Sequence, residues 1–328
     1  MKNIAVFVFF VTILAAPAAV FSGPGFLAGH ALSLGLETGL LYGYGEESVY
    51  APDGNRQSRL TWDLRPLFYA GAALDVSRID PLERAGFVLS LSLKFGIPAG
   101  TGAMEDRDWD WDYQGLFTGF SRHENYTEGA CLFDGLVGVS LPFRSRMAVT
   151  LYGVFSWVHF SWTGRNGYGQ YLPAAGSGYD TTLPLRALPP EPFAGTVITY
   201  TQDWLFLAPG VSVFLPLASF FSLKLLFQGS PFLYCAAGDN HITTKAEYRD
   251  TILWGVFLEP GAGLSFMPRG NWTVSLAVSY RMIHGGRGTT RARPTGFRQD
   301  TPFTALDGQS GAALYVLNAG LSFKVRLQ

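Results

Sequence analysis

Two short polar motifs contain the residue types that could activate water. One is an Asp-x-Asp motif, Asp106 and Asp108, and the other is an Asp-x-His motif, Asp239 and His241. In extended backbone, residues two apart point to the same side, so each motif presents a couple of neighbouring side chains. An aspartate beside a histidine fixes the tautomer of the ring and raises its basicity, so that the neutral ring can take a proton from water. A second carboxylate pair across a gap could hold that water, which indicates hydrolysis without a covalent intermediate.

Each motif also has an ordinary interpretation. Taken alone, an Asp-x-Asp loop is more often a solvated turn or a weak Ca²⁺ site than a catalytic pair, and a lone Asp-x-His is a weaker signal still. The sequence contains no serine-elbow motif, no His-Glu-x-x-His motif and no phosphate-binding glycine loop. We therefore predict no cofactor and no catalytic metal.

Downstream of the N-terminus, the chain alternates with a period of two between large apolar residues and small or polar ones. In 31–44, for example, Leu32, Leu34 and Leu36 lie opposite Ser33 and Glu37. Lysine and arginine also occur in the middle of such segments, which would be costly in the dry centre of a soluble sandwich. In a membrane barrel the polar face lines the lumen and the apolar face meets lipid. Ten segments of this kind are predicted, at 31–44, 58–76, 87–97, 130–142, 146–162, 197–214, 219–234, 244–266, 270–284 and 315–327.

This even number of strands predicts an all-β fold, a ten-stranded antiparallel transmembrane β-barrel with long extracellular loops. The predicted connections alternate between short and long, and with the N-terminus inside, the long set faces outward. Two of the long loops, 98–129 and 235–243, carry the two polar motifs. Aromatic residues near strand ends are typical of the girdles at membrane interfaces. The tryptophans expected there are Trp62, Trp157, Trp162, Trp204, Trp254 and Trp272.

The N-terminus is typical of a secretory signal peptide, with one early lysine, an apolar stretch and then small residues. We predict a signal peptide over 1–22, cleaved after Ala18 or Ser22, and a single barrel domain over 23–328.

Composition excludes some classes of function. The formal net charge is −1, so no strong attraction to nucleic acid is expected and no nucleic-acid partner is predicted. The two cysteines, Cys131 and Cys235, are too few for a disulfide scaffold or a zinc site. We interpret both as packed side chains, with a bridge between them as the alternative.

At this point the chain resembles the omptin family of outer-membrane proteases. The strongest anchor is 104–109, Met-Glu-Asp-Arg-Asp-Trp, which is similar to the family's Met-x-Asp-x-Asp-Trp. Further similar segments follow in the family's order, at Ser121-Arg122-His123, Phe133-Asp134, Phe160-Ser161-Trp162-Thr163 and Asp239-Asn240-His241. The resemblance implies a ten-stranded barrel with an extracellular active site. In that site Asp239 and His241 are the activating couple, and Asp106 and Asp108 are the opposing acidic pair.

The resemblance also implies cleavage next to basic residues of peptides or proteins at the cell surface. The glutamate of the family's specificity pocket corresponds to Glu47, and Met104 matches a residue that lines the pocket. The family's second pocket acid corresponds to Ala237. Glu47 is therefore expected to act alone, with weaker discrimination in favour of arginine or lysine.

Outer-membrane lipid is the other expected partner. The positions by which omptins bind lipopolysaccharide correspond to Phe155, Trp157 and His159, and this histidine stands where the family has an arginine. The resemblance therefore does not predict dependence on lipopolysaccharide.

Three functions compete: a surface protease, a passive pore, and a surface adhesin without proteolytic activity on the same barrel. Titratable groups at the mouth of a cleft favour the enzyme. An omptin-type barrel is expected not to conduct, because lumen residues pair and fill its interior. The residues expected to do so are Asp63, Arg65, Lys224, Glu247 and Arg249.

Overall fold

The computed structural model describes residues 29–110, 115–143, 146–173, 184–267, 270–295 and 301–327. Its strands form one 15-stranded sheet, and the one helix in the described ranges is a short 3-10 turn at Leu185–Ala187. No helix in these ranges is long and apolar enough to cross a membrane. The predicted signal peptide, 1–22, lies outside the described residues.

Six strands are long. They are β1 (His30–Tyr50), β2 (Arg56–Arg78), β5 (Leu116–Phe143), β6 (Met147–Tyr171), β8 (Thr196–Pro216) and β15 (Thr304–Leu327). The shorter strands are β3 (Gly86–Gly96), β4 (Ala99–Asp110), β7 (Glu191–Pro192), β9 (Phe221–Ser230), β10 (Leu233–His241), β11 (Ala246–Leu253), β12 (Gly255–Phe266), β13 (Trp272–Gly285) and β14 (Gly288–Pro294).

The short strands fill the spaces between the long ones at two levels, and all pairs are antiparallel. At the lower level the pairing order is β1-β2-β3-β5-β6-β8-β9-β12-β13-β15. At the upper level it is β1-β2-β4-β5-β6-β8-β10-β11-β14-β15. Because β15 also pairs with β1 along nearly its whole length, both series of pairs return to their first strand.

The prediction that 98–129 and 235–243 are loops is wrong. β4 and the first part of β5 occupy most of the first segment, and β10 occupies most of the second, so both polar motifs lie on paired strands. The reason is that the outer face of the upper level is polar, with exposed side chains such as Arg107 and Arg122. Without an apolar outer face, these strands lack the contrast between faces by which the lower strands were predicted.

Large apolar side chains cover the outer face of the lower level. On β1 the exposed residues include Leu34 and Leu36, and their partners on β15, Val325 and Phe323, are exposed as well. Such a continuous apolar surface is typical of a face in contact with lipid. The lower level therefore has the pattern that the alternating segments predict.

The inner face of the lower level carries paired charges around a cavity of about 340 Å³. The buried Arg281 side chain donates hydrogen bonds to Asp134 at 3.1 Å and to Glu259 at 2.9 Å. Ser156 donates a further hydrogen bond to Asp134. The neighbouring ion pairs are Lys324 with Asp75 at 2.5 Å and Lys94 with Glu37 at 3.7 Å. These charges offset one another, as buried ions require.

Of the residues predicted to fill the interior, Lys224 lines the lower cavity. Asp63 and Arg65 pair at 3.2 Å, but they lie on the opposite face of β2 from the buried Trp62 and Leu64, so their prediction as interior residues is wrong. Glu247 and Arg249 likewise lie on the opposite face of β11 from the buried Asp250, and Arg249 is exposed. The predicted strand 244–266 is in fact two strands, β11 and β12, interrupted at Trp254, where φ is 70°.

A layer of stacked aromatic rings lies between the two levels. The centroid of the Trp62 ring lies 5.4 Å from that of Tyr200 and 6.1 Å from that of Trp162. Phe160 stacks on Trp162 at 5.3 Å, and Trp204 is fully buried beside them. Rings packed this closely leave no aqueous passage at this height.

The aromatic layer corrects the prediction of interface girdles. Trp62, Trp162 and Trp204 are fully buried inside the sheet, whereas Trp254 and Trp272 are exposed on its outer face. Strand position alone did not predict which face each ring occupies. Around the first three rings the apolar face of the strand points inward, as with Leu60, Trp62 and Leu64 on β2, whereas in the lower level the large apolar side chains point outward.

We predict that Arg281→Met lowers the free energy of unfolding by about 3–5 kcal/mol, because it leaves two buried carboxylates without their cation. The matched control is Arg165→Met, which removes an exposed pair with Glu128 and is expected to cost less than about 1 kcal/mol. Urea unfolding in detergent micelles measures both. An equal loss of unfolding free energy in the two variants would contradict the stabilising role of Arg281 and its two carboxylate partners.

Candidate active site

The upper level encloses a second cavity of about 810 Å³. It contains the four residues of the two polar motifs together with Glu47 and Met104, the two residues predicted for the specificity pocket. The strands that contribute these side chains are β1, β4 and β10. Residues predicted from distant parts of the sequence therefore meet in one site.

The Asp239 and His241 side chains form a hydrogen-bonded couple on β10. Nε2 of His241 lies 2.5 Å from Oδ2 of Asp239, and the ring edge of Tyr248 packs against the His241 ring with centroids 5.4 Å apart. Asp239 is buried, whereas the His241 side chain is 27% exposed. With Nε2 engaged by the carboxylate, Nδ1 is the nitrogen that is left for water.

Asp106 and Asp108 lie on β4, on the face that lines the cavity. β4 pairs with β2, and the Ser58 hydroxyl on β2 donates a 3.0 Å hydrogen bond to Oδ1 of Asp106. The expectation that residues two apart share a face is met, because β4 is a strand. Both carboxylates lie near enough to His241 for their charges to act on it.

Burial and like charge shift the titration of the acidic pair. Burial, together with the Asp108 carboxylate, raises the pKa of Asp106 to about 7, against the opposing effects of Ser58 and His241. Burial also raises the pKa of Asp108. Near neutral pH this pair therefore holds a proton that ordinary aspartates would have lost.

Opposite effects act on the Asp-His couple. Burial lowers the pKa of His241, but the hydrogen bond and charge of Asp239 and the charges of the acidic pair outweigh it, so the pKa is raised. Burial raises the pKa of Asp239, and His241 opposes this rise. The ring is thus a stronger base than an ordinary histidine, which suits proton transfer from water.

A second histidine couple lines the same cavity and was not predicted as part of the site. Nε2 of His123 lies 2.9 Å from the Ser121 hydroxyl, and its Nδ1 lies 2.5 Å from the backbone oxygen of Asn166. Since a carbonyl only accepts, Nδ1 carries the proton and the hydroxyl donates to Nε2. Burial lowers the pKa of His123, so the ring is neutral. The signal available in the sequence was the same spacing of two residues that marks the other couples.

Glu47 and Met104 lie at the inner end of the cavity, and both are almost fully buried. Burial, then the charges of Asp239 and Asp250, raise the pKa of Glu47 well above its ordinary value. Asp250, on β11, lines the same cavity and was not singled out in the sequence. The pocket therefore contains a carboxylate that the motifs did not include.

Phe155, Trp157 and His159 lie together on the outward side of β6, away from the cavity. Phe155 is exposed, and Nδ1 of His159 lies 2.9 Å from Asp203 on the neighbouring strand β8. Trp157 donates a 3.2 Å hydrogen bond to the same carboxylate. This histidine is therefore held by an acid of its own chain.

The next feature is the arrangement of possible metal ligands in the described part of the chain. No group of three or more histidine, cysteine, aspartate or glutamate side chains there has an arrangement that could hold a metal ion. The two cysteines are free and buried.

Comparison with known proteins identifies a family and a similar fold. The model of the Omptin family matches residues 29–325. The fold is similar to that of the outer-membrane protease OmpT from Escherichia coli, with a TM-score of 0.75 and 18% identity, covering 90% of this chain and 97% of OmpT. The toluene transporter TodX from Pseudomonas putida aligns with a TM-score of only 0.31 and 11% identity, over 94% of this chain and 93% of TodX. No curated protein sequence matches the chain.

We predict that Asp106→Asn stabilises the fold at pH 8 by at least about 1 kcal/mol, with a smaller gain at pH 5. The folded-state pKa of Asp106, about 7, lies above the ordinary value of 3.8, so the folded state binds the extra proton. The wild type therefore loses stability as the pH rises through this window, and the asparagine variant does not.

Unfolding midpoints in urea at the two pH values measure this difference. The control is Glu83→Gln, which neutralises a carboxylate on the exposed surface and is expected to change the stability little. A gain for Asp106→Asn that is equal at pH 5 and pH 8 would show that the raised pKa is wrong.

Proposed function

Because the chain belongs to the omptin family of outer-membrane proteases, we propose that it is an aspartic-type endopeptidase that hydrolyses peptide bonds of proteins or peptides at the cell surface. The observation that carries this proposal is the meeting of the Asp239–His241 couple and the Asp106–Asp108 pair in one cavity. Charge from each pair acts on the other, as expected where the two act on the same water.

The proposed reaction uses one water and no covalent intermediate. Nδ1 of His241 takes a proton from the water as the water oxygen bonds to the substrate's carbonyl carbon. The proton that Asp106 and Asp108 share then hydrogen-bonds to the developing oxyanion, or to the water before attack. When the carbon–nitrogen bond breaks, the imidazolium returns its proton to the leaving amine. Asp239 stabilises the imidazolium in between.

We propose that the sheet is a closed ten-stranded barrel. The return of both pairing series to β1 supports this closure. The apolar outer face of the lower level would then be the membrane-spanning part, and the upper level with the cavity would project outside the cell. The single domain over 23–328 is part of the same proposal.

Two features favour the protease over a pore or an adhesin. The aromatic layer and the paired charges of the lower level would hinder the passage of ions through the interior. An adhesin needs no buried, hydrogen-bonded Asp-His couple, whereas hydrolysis does. We propose outer-membrane lipid as a partner. Dependence on lipopolysaccharide is not part of the proposal, since His159 pairs with Asp203 on the surface where the family has an arginine.

Specificity for basic residues is proposed from the family and from Glu47, which is buried in the cavity wall with no cation beside it among the described residues. A mixed peptide library incubated with the refolded protein in detergent, followed by mass spectrometry of the products, would identify the cleavage position. Cleavage only beside neutral residues would contradict this assignment.

We predict that His241→Ala lowers peptide cleavage by about 100-fold or more, because the ring is the base for the attacking water. Asp106→Ala is expected to have a similar effect. The measurement is kcat/KM on a peptide chosen from the library, with a gel-shift assay to verify that each variant is folded. Near-wild-type turnover by His241→Ala would exclude the mechanism, and an uncleaved library with the folded wild type would leave the adhesin as the better explanation.

We predict that the upper level faces outside the cell. Glu191→Cys, on the exposed strand β7, should react with an impermeant maleimide on intact cells, whereas Ser219→Cys, in the turn between β8 and β9, should react only after the cells are broken. The two native cysteines are buried and give little background. The reverse pattern of labelling would reverse the orientation.

A further inference from the structure

Asp250 lies where it can replace the pocket acid that the chain lacks. The family's second acid corresponds to Ala237, and in the β10–β11 ladder Ala237 is directly opposite Asp250. Side chains of directly paired residues point to the same face, with their Cβ atoms only about 4.5–5.5 Å apart. Where β10 has Ala237 in place of an acid, the neighbouring strand β11 therefore has a carboxylate, Asp250, at the same height of the cavity wall.

We propose that Asp250 and Glu47 together bind the cationic side chain of the substrate residue next to the cleaved bond. This inference rests on the proposed peptidase function. It assigns a specificity-determining role to a residue outside the motifs. Glu47 then does not act alone, in contrast to what the sequence led us to expect.

Both carboxylates are buried, and each has an oxygen without a hydrogen-bond donor among the described residues. Glu47 and Asp250 are almost fully buried, 2% and 5% exposed, and both line the upper cavity. One oxygen of each, Oε2 of Glu47 and Oδ1 of Asp250, has no hydrogen-bond partner among the described residues. A buried carboxylate oxygen without a partner is costly, so a donor from the substrate would relieve both.

The balance of charge in the two cavities points to the same conclusion. In the lower cavity, the acids Glu37, Asp134 and Glu259 are accompanied by lysines and Arg281. The upper cavity has six acidic residues among its described lining and no lysine or arginine. These six acids are Glu47, Asp106, Asp108, Asp239, Asp250 and Asp307. A cavity so unbalanced favours a cationic ligand.

Burial and neighbouring negative charge destabilise the ionised form of both carboxylates. Burial, with a smaller contribution from the Asp239 charge, raises the pKa of Asp250 to about 6 against the hydrogen bonds of Thr290 and Ser310. Burial, with the charges of Asp239 and Asp250, raises the pKa of Glu47 well above its ordinary value. A guanidinium or ammonium group placed between the two carboxylates would offset their desolvation and return them to the ionised form. A neutral side chain in the same place would leave the repulsion uncompensated.

The test compares two peptides that differ only at the cleavage position, where one has arginine and the other has citrulline, its neutral near-isostere. Asp250→Asn is expected to lower kcat/KM for the arginine peptide by about 10- to 100-fold, and to leave the citrulline peptide nearly unchanged. Binding of an arginine peptide with a reduced, non-hydrolysable bond at the cleavage position is measured alongside and should weaken by a similar factor.

Two further variants make the test specific. Glu247→Gln removes an acid three residues away on the opposite face of β11, and it should leave the preference for arginine intact. The double variant Ala237→Asp with Asp250→Ala moves the carboxylate to the facing strand and should recover the preference. Asp250→Ser, a smaller neutral change at the same position, replaces Asp250→Asn if the latter does not fold.

Each outcome decides one question. An unchanged arginine preference in the folded Asp250 variants would overturn the role of Asp250 and leave the peptidase intact. An equal loss in Glu247→Gln would also overturn it, because general electrostatics would then explain the effect. A wild type that binds the reduced peptide through Asp250 but cleaves no peptide would support the pocket and refute the proposed function.

Discussion

The continuous antiparallel ladder of the six long strands is the constraint on which the other features depend. Because β1, β2, β5, β6, β8 and β15 run through both levels, the strand pairing of the apolar part continues into the polar part. On β1 the alternation of faces is unbroken, and Leu41 below and Glu47 above are both buried. On β2 and β5 a register shift moves the buried face by one residue between the levels, from Leu67 to Leu64 and from Leu132 to His123. The site residues of the upper level are therefore held by strands that are anchored in the apolar part, and the bulges between the levels set which face of β2 and β5 points inward.

The aromatic layer converts one interior into two different environments. Below it, acids and bases pair closely, as around Arg281, so the interior is electrically balanced and needs no ligand. Above it, acids predominate in the described lining of the cavity, and the proposed cationic substrate would balance their charge. Closely packed rings such as Trp62, Trp162 and Tyr200 separate the two by excluding water between them. The same layer therefore seals the interior and forms a firm base beneath the site.

Within the site, the unfavourable burial of carboxylates is what raises their pKa values. Burial raises the pKa of Glu47, Asp106 and Asp239, and neighbouring carboxylates raise it further for Glu47 and Asp106. Such an arrangement stabilises nothing by itself, and the surrounding ladder holds it in place. In the proposed function, the arrangement would supply a proton shared near neutral pH, a basic histidine, and a pocket that favours cations. The favourable interactions of the lower level thus offset the cost of burying carboxylates in the upper level.

The sequence by itself determined the lower level and the identity of the catalytic candidates. Alternation such as that of Leu32, Leu34 and Leu36 reports a strand with one apolar face, and the Asp-x-Asp and Asp-x-His spacings report side chains that share a face, whether or not the strand had been predicted. These are local properties, read from neighbours two residues apart.

The tertiary structure alone decided what depends on pairing between distant strands. The upper strands have no apolar outer face, so β4 and β10 were predicted as loops. The inward direction of Trp62 and Trp162 and the interruption at Trp254 could not be read from strand position. The meeting of Asp250 with Glu47 was hidden for the same reason, since it is set by the β10–β11 register and by pairs that join the two ends of the chain. Register is a relation between segments, and a single sequence states only the order of residues within each one.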